Sequence, residues 1–400
     1  MELKKQLIIM RKINYKLSED TFDNKEFKSV KDLFIKNQKL TYGKNVIKLE
    51  KKIAKIHNRK YCLMVNSGSS ANLLGVASLI YDEKIDLKYG DEVIVPSMSW
   101  STTYAPLIQF GLKLVFVDID EEDFNINTKL IEKSISRKTK AIFAVNILGT
   151  SCNYTELKKI IKKHNLILME DNCESLMSKH KKKLTGSNGI FSSLSSYFSH
   201  HFSTIEGGYL LTDNFRLYCN GLSLRSHGWT REQPGNSHLM KKKYFDFENK
   251  FKFHLPGYNI RPTEIAAVIG LEQVKKINSF IGNRKKNAEF FYKHFSKSNK
   301  YALQRYDKES SYFGFGIILR YSKRDKVVKK MNQIGIESRP IISGNFLDNP
   351  ILKYCKYKIA SKMDAVKRIN DKGFMIGNRS NLFTNKEKAA LLKLKTILEN

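Results

Sequence analysis

Short apolar runs alternate with amphipathic segments through the first half of this chain of 400 residues. Residues 20 to 60 carry helical spacing, broken at Leu40–Asn45 (LTYGKN) and resumed in VIKLEKKIAKIH. Tyr61–Val65 (YCLMV) is a continuous apolar run of strand length, and NSGSSANLLGVASLIY follows it as a small-residue turn and a helix. The alternation repeats. Glu92–Val95 ends at Pro96 before SMSWSTTYAPLIQFG, and LKLVFVDID closes on Asp118 and Asp120. Lys140–Val145 leads through the loop NILGTSCN to the helix TELKKIIKKHN, and Leu166–Met169 delivers Glu170, Asp171 and Asn172. The stretch Phe191–Gly208 (FSSLSSYFSHHFSTIEGG) reads as a serine-rich strand, an exposed His200–His201 pair and a Glu-Gly-Gly turn before Tyr209–Leu211.

Repeated strand–helix units with nearly continuous apolar strands predict an α/β fold: a mostly parallel sheet covered on both faces. Ligands in such sheets collect at the carboxyl ends of the strands. The Gly68-Ser69-Ser70 turn, Trp100, Asp171 and the His200 segment all fall at such ends. At the first of these, unpaired amides of a helix N-terminus suit a phosphate, although an ordinary serine cap has the same appearance. Beyond residue 255 the pattern changes. LPGYNIRPTEIAAVIGLEQVKKI opens a long helix, and Phe280–Ser298 is expected as another. Tyr312–Leu319 follows as a strand, Lys323–Ile334 as a helix, and IESRPIISGNF as strand and loop. The expected division is therefore a large domain over residues 1–255 and a smaller α+β domain over 256–400.

The net charge of +32 invites a nucleic-acid reading. The lysines are spread over many helical segments, however, and runs such as KHKKK (Lys179–Lys183) lack interleaved aromatic residues. With no helix-turn-helix, zinc-finger or RNA-recognition signature beside them, a solvated surface is the better account, and no nucleic-acid partner is expected. Five scattered cysteines without a C-x-x-C pair predict neither disulfides nor a metal site. No apolar run approaches membrane-spanning length, and Leu7–Met10 is too short for a secretory core, so a cytoplasmic protein without a membrane partner is expected.

The segment around His200 resembles the one that carries the cofactor-binding lysine in the DegT/DnrJ/EryC1/StrS sugar aminotransferase family. There the pattern is roughly Ser, four residues, Lys, five residues, Glu-Gly-Gly. Here Ser195 and Glu206-Gly207-Gly208 keep that spacing, and His200 stands where the lysine would be. The likeness extends from about Leu40 to Gly377. It implies an aspartate-aminotransferase-like fold, pyridoxal 5′-phosphate (PLP) or its pyridoxamine form as cofactor, and a homodimer with shared sites. It also implies that Asp171 pairs with the pyridinium nitrogen and Trp100 stacks on the ring. Gly68, Ser69 and Ser195 would hold the phosphate, and Glu174 would lie beside the ring. His227, Arg231, Tyr258, Asn259 and Arg339 are candidate substrate contacts, and His201 is the neighbouring candidate for the role of His200.

A histidine can move a proton but cannot anchor the cofactor covalently. That substitution resembles the sugar 3-dehydratase branch, which implies loss of the 3-hydroxyl from a nucleotide-linked 4-keto-6-deoxysugar, with glutamate as amino donor and His200 as base. A dehydratase type with an iron–sulfur cluster is disfavoured, because only Cys355 follows Cys219. A sugar aminotransferase and a non-catalytic PLP-binding homologue are the alternatives.

Overall fold

The computed structural model describes residues 13–36, 39–240 and 251–400. Helices α1 (Asn24–Ile35) and α2 (Lys44–Ile56) precede β1 (Tyr61–Val65) and α3 (Gly68–Ile80). Then come β2 (Glu92–Pro96), α4 (Ser101–Gln109), β3 (Lys113–Val117), the single turn α5 (Thr128–Ile131), β4 (Thr139–Val145), α6 (Tyr154–His164) and β5 (Ile167–Asp171). A small hairpin, β6 (Lys179–His180) and β7 (Lys183–Leu184), separates them from β8 (Phe191–Ser195), β9 (Gly208–Thr212) and α7 (Phe215–Arg225). Helix α8 (Glu264–Phe295) leads to β10 (Tyr301–Leu303), β11 (Gly314–Leu319), α9 (Arg324–Gln333), β12 (Tyr357–Ile359), α10 (Asp364–Lys372), β13 (Gly373–Gly377) and α11 (Asn385–Glu399).

Eight strands form one sheet in the order β1-β9-β8-β5-β4-β2-β3-β12. Only β9 runs against the others, pairing antiparallel with both β1 and β8. Most of the strands are apolar on both faces for the reason expected. In β1, Leu63 and Val65 enter one core while Cys62 and Met64 enter another; in β4, Phe143 and Ile142 part in the same way. Helices α3, α4 and α7 cover one face, and α2, α6 and the first half of α8 cover the other.

A second core surrounds the antiparallel sheet β10-β11-β13 and takes Phe291 and Phe295 from the far half of α8. It also takes Tyr15 from the N-terminal segment, while β12 returns to the edge of the large sheet beside β3. Two expectations need correction. The two helices expected after residue 255 are one, α8, of 32 residues. Gly282 does not break it, because the helix is held at its two ends by different cores. The strand expected in IESRPIISGNF is only an isolated bridge, Arg339 with Met375. No described helix is long and apolar enough to cross a membrane.

Candidate active site

The carboxyl ends of β1, β2, β4, β5 and β8, with the reversed start of β9, surround a cavity of about 450 Å³. One wall is the N-terminus of α3. Ser67 caps it, its hydroxyl accepting from the Ser70 amide at 3.0 Å, while the Ser69 hydroxyl donates to Thr102 at 2.8 Å. Two glycines permit this corner. A Cβ on Gly68 would stand 2.8 Å from Cβ of Ser195 and 2.9 Å from Sγ of Cys173. One on Gly208 would stand 2.2 Å from the Ser67 carbonyl group and 2.4 Å from the Gly68 nitrogen. The result is a cradle of small residues at the positive end of a helix, suited to a phosphate. Gly208→Ala is expected to push the β1–α3 turn aside at ~1–3 kcal/mol. Thermal melting and PLP retention on gel filtration should both fall.

The floor is Asp171. Its Oδ2 accepts from Asn72 Nδ2 at 2.8 Å and Thr103 Oγ1 at 2.7 Å, and its Oδ1 from the Cys173 amide at 3.2 Å and Ser193 Oγ at 3.3 Å. Every one of these donors is neutral. Among the described residues no lysine or arginine pairs with this buried carboxylate, although it lines the cavity. A buried charge is normally paired, so the arrangement suits a cationic group entering from the cavity. Trp100, at the start of α4, presents a half-exposed ring there, with the Arg339 guanidinium 5.7 Å from its centroid.

Glu174 accepts from the Leu148 amide at 3.0 Å. Burial raises its carboxyl to about 7, against the lowering influence of Arg339. A carboxyl raised on folding binds its proton more tightly in the native state. It therefore lends stability that is present at low pH and is lost as pH rises through about 7. Glu174→Gln should flatten the fall in melting temperature between roughly pH 5 and 8, measured on the cofactor-free protein.

His200 ends a short turn, its amide donating to the Tyr197 carbonyl at 2.9 Å. The expected exposed pair is instead a packed one. Phe313, which precedes β11 and packs into the core of the large sheet, lies 5.1 Å from the His200 ring and 5.7 Å from that of His201. His201 is 1% exposed and does not line the cavity, whereas His200 does. Nδ1 of His200 is buried without a partner, which leaves Nε2 as the nitrogen toward the cavity. Burial, then the charges of Arg284 and Arg339, hold the imidazole far below its ordinary pKa, so it is neutral at physiological pH. A neutral imidazole is the proton-accepting form.

The cavity thus gathers His200, Gly68, Ser69, Trp100, Asp171, Glu174, Ser195 and Arg339. It does not include His227, Arg231, Tyr258 or Asn259. Those form a separate cluster: the His227 amide, at a φ of +62°, donates to the Tyr258 carbonyl, and Arg231 stacks on Trp229 and Phe251. Asn72 and Thr103, which orient Asp171, escaped the sequence reading. Their spacing, four residues past Gly68 and three past Trp100, was available as one-turn offsets on α3 and α4. Among the residues lining the cavity none is a lysine, and no metal-binding cluster occurs among the described residues.

The resident group implied by the resemblance is a phosphorylated, protonatable aromatic ring, and the cradle, the free carboxylate and the exposed indole fit it. Fold and site together define a class, the aminotransferase-like α/β enzymes. Residues 20–388 match the DegT/DnrJ/EryC1/StrS aminotransferase family, and the chain belongs to it. It is 44% identical over 376 residues to GDP-4-keto-6-deoxy-D-mannose 3-dehydratase of Yersinia pseudotuberculosis, covering 92% of this chain and 95% of that one. A crystal structure of GDP-4-keto-6-deoxymannose-3-dehydratase with a trapped PLP–glutamate geminal diamine superposes with a TM-score of 0.92 at 40% identity, covering 96% of this chain and 100% of the other. A variant of that dehydratase, with a histidine changed to lysine and the serine before it to asparagine, superposes at 0.91, again at 40% identity, covering 95% and 100%.

Proposed function

We propose that this protein is a PLP-dependent dehydratase that removes the 3-hydroxyl of GDP-4-keto-6-deoxy-D-mannose, with His200 as its base. The observation that carries the reading is a cavity furnished for the cofactor but lined by no lysine, with a neutral imidazole in its wall. The similarity to the named dehydratases over more than nine-tenths of the chain supports the substrate. Three Ser-His pairs occur in this sequence, and only Ser199–His200 lines the cavity, which matches the serine–histidine pair substituted in the related enzyme.

When bound, PLP supplies an electron sink and a carrier for an amino group. The chain's residues do the rest. Gly68, Ser69 and Ser195 would bind the phosphate, Trp100 would cover the ring, and Asp171 would keep the ring nitrogen protonated, with Glu174 beside the ring. His200 accepts and returns a proton through Nε2. No lysine amine lines the cavity to return a proton to the sugar carbon and complete a transamination. Replacing a C–OH by a C–H consumes two electrons, which glutamate supplies on becoming 2-oxoglutarate. The balance is one deoxysugar, one 2-oxoglutarate and one ammonia for each glutamate consumed. Arg339, beside Trp100 and Glu174 in the cavity lining, would contact the substrate. His227, Arg231, Tyr258 and Asn259 would serve the neighbouring site of a homodimer.

Borohydride provides the test. Treatment of the PLP-loaded protein should leave the cofactor removable by denaturation and the polypeptide mass unchanged. A cofactor fixed to the polypeptide would contradict the reading.

A further inference from the structure

Arg284 is a buried cation without a carboxylate. It lies on α8, is 3% exposed, and has no ion-pair partner among the described residues. Its guanidinium is spent on carbonyl oxygens: Nη1 donates to Tyr312, Phe313 and Asn378, each at 3.2 Å, and Nη2 to His200 at 3.5 Å. Nε donates to the Ser380 hydroxyl at 3.3 Å, which in turn donates to the His201 carbonyl at 3.2 Å. The neighbouring Arg379 shows what a merely structural arginine looks like here, because it is neutralised by Glu19 and Glu387. Burying a cation against neutral acceptors alone is unfavourable unless the planar fork itself is needed.

We propose that Arg284 is a positioning residue for His200. Its fork ties the main chain of the His200–His201 turn to the segment that carries Phe313, and Phe313 is the ring packed on both imidazoles. Rigidity of the small core is thereby carried into a loop that would otherwise hang between β8 and β9. The charge matters as well. The groups facing His200 are Arg284 and Arg339, His201 on its own segment, and Asp171, Glu174 and Glu206 around the cavity. Burial does most to keep the base in its proton-accepting form, and of these groups the two arginines add to it by disfavouring imidazolium.

The inference rests on His200 being the base, and the test separates the two. Histidine ring signals of the cofactor-free protein are recorded against pH, with His200→Asn identifying the His200 signal. In Arg284→Met, His200 should begin to titrate at a higher pH than in the parent, and kcat should fall about 10²-fold, as for a group displaced by ~1 Å, with KM little changed. Arg284→Lys keeps the charge but loses the fork: the His200 signal should move while its titration stays low, and kcat should again fall. If Arg284→Met does not fold, the lysine variant carries the test alone. An unchanged His200 signal and titration in a folded variant would overturn the proposal, whatever happens to the rate. A shifted signal with unaltered turnover would support the positioning role and contradict His200 as the base.

Discussion

His200→Asn is expected to retain PLP and lose about 10²–10⁴-fold in the rate of ammonia release, the range associated with a positioned general base. Asparagine is close to histidine in length and preserves the packing under Phe313, so the melting temperature should move little. Its amide takes no proton at any physiological pH. The effect should therefore appear in kcat, with glutamate and sugar KM values near those of the parent. His200→Lys makes the converse point. It should create a cofactor link that borohydride fixes to the chain, without raising ammonia release, because an amine at this position favours returning a proton to the sugar. Steady-state ammonia release and intact-protein mass after reduction measure both outcomes.

Asp171→Asn is the second large effect. The carboxylate accepts four hydrogen bonds and donates none, and all four donors are fixed by neighbouring elements. An amide in its place turns one acceptor into a donor facing either Asn72 and Thr103 or Cys173 and Ser193. It also removes the carboxylate at the cavity floor that would hold a protonated ring nitrogen. Breaking a buried ion pair by removing one partner costs ~3–5 kcal/mol, roughly a hundredfold to several thousandfold at 1.4 kcal/mol per tenfold. PLP affinity, followed by cofactor absorbance on titration, should weaken by that order, and turnover at saturating PLP should fall as well. An unchanged affinity would remove Asp171 from the site.

Strand-end acids show how much of the site was legible in the sequence. Asp118 and Asp171 close apolar strands in the same manner, and nothing in their immediate context separates them. In the fold, Asp118 accepts from the Ala365 and Val366 amides and caps α10, a segment almost 250 positions away. Asp171 is capped by nothing charged and opens on the cavity. What distinguished Asp171 beforehand was its place in a spaced set with Gly68, Trp100 and His200, which local periodicity does not carry.

The parallel sheet was legible because strands such as β1, β2, β3 and β4 are apolar on both faces, a pattern that two covering layers explain. The long helix was harder to read, since α8 serves two cores and its buried stripe changes partner halfway along. The packing of the two histidines was not legible at all. It depends on Phe313, more than a hundred residues later, and on Arg284, whose partners are four main-chain oxygens and one serine hydroxyl, with little residue identity to search for.

The central claim is that this member of an aminotransferase family removes a hydroxyl because His200 replaces the lysine. One measurement bears on it most directly. The purified protein is supplied with PLP, glutamate and GDP-4-keto-6-deoxy-D-mannose, and the products are quantified together by mass spectrometry and ammonia assay. The expected result is a GDP-linked 3-deoxy sugar, 2-oxoglutarate and ammonia in equal amounts. A stable GDP-linked amino sugar, formed with 2-oxoglutarate but without ammonia, would contradict the account.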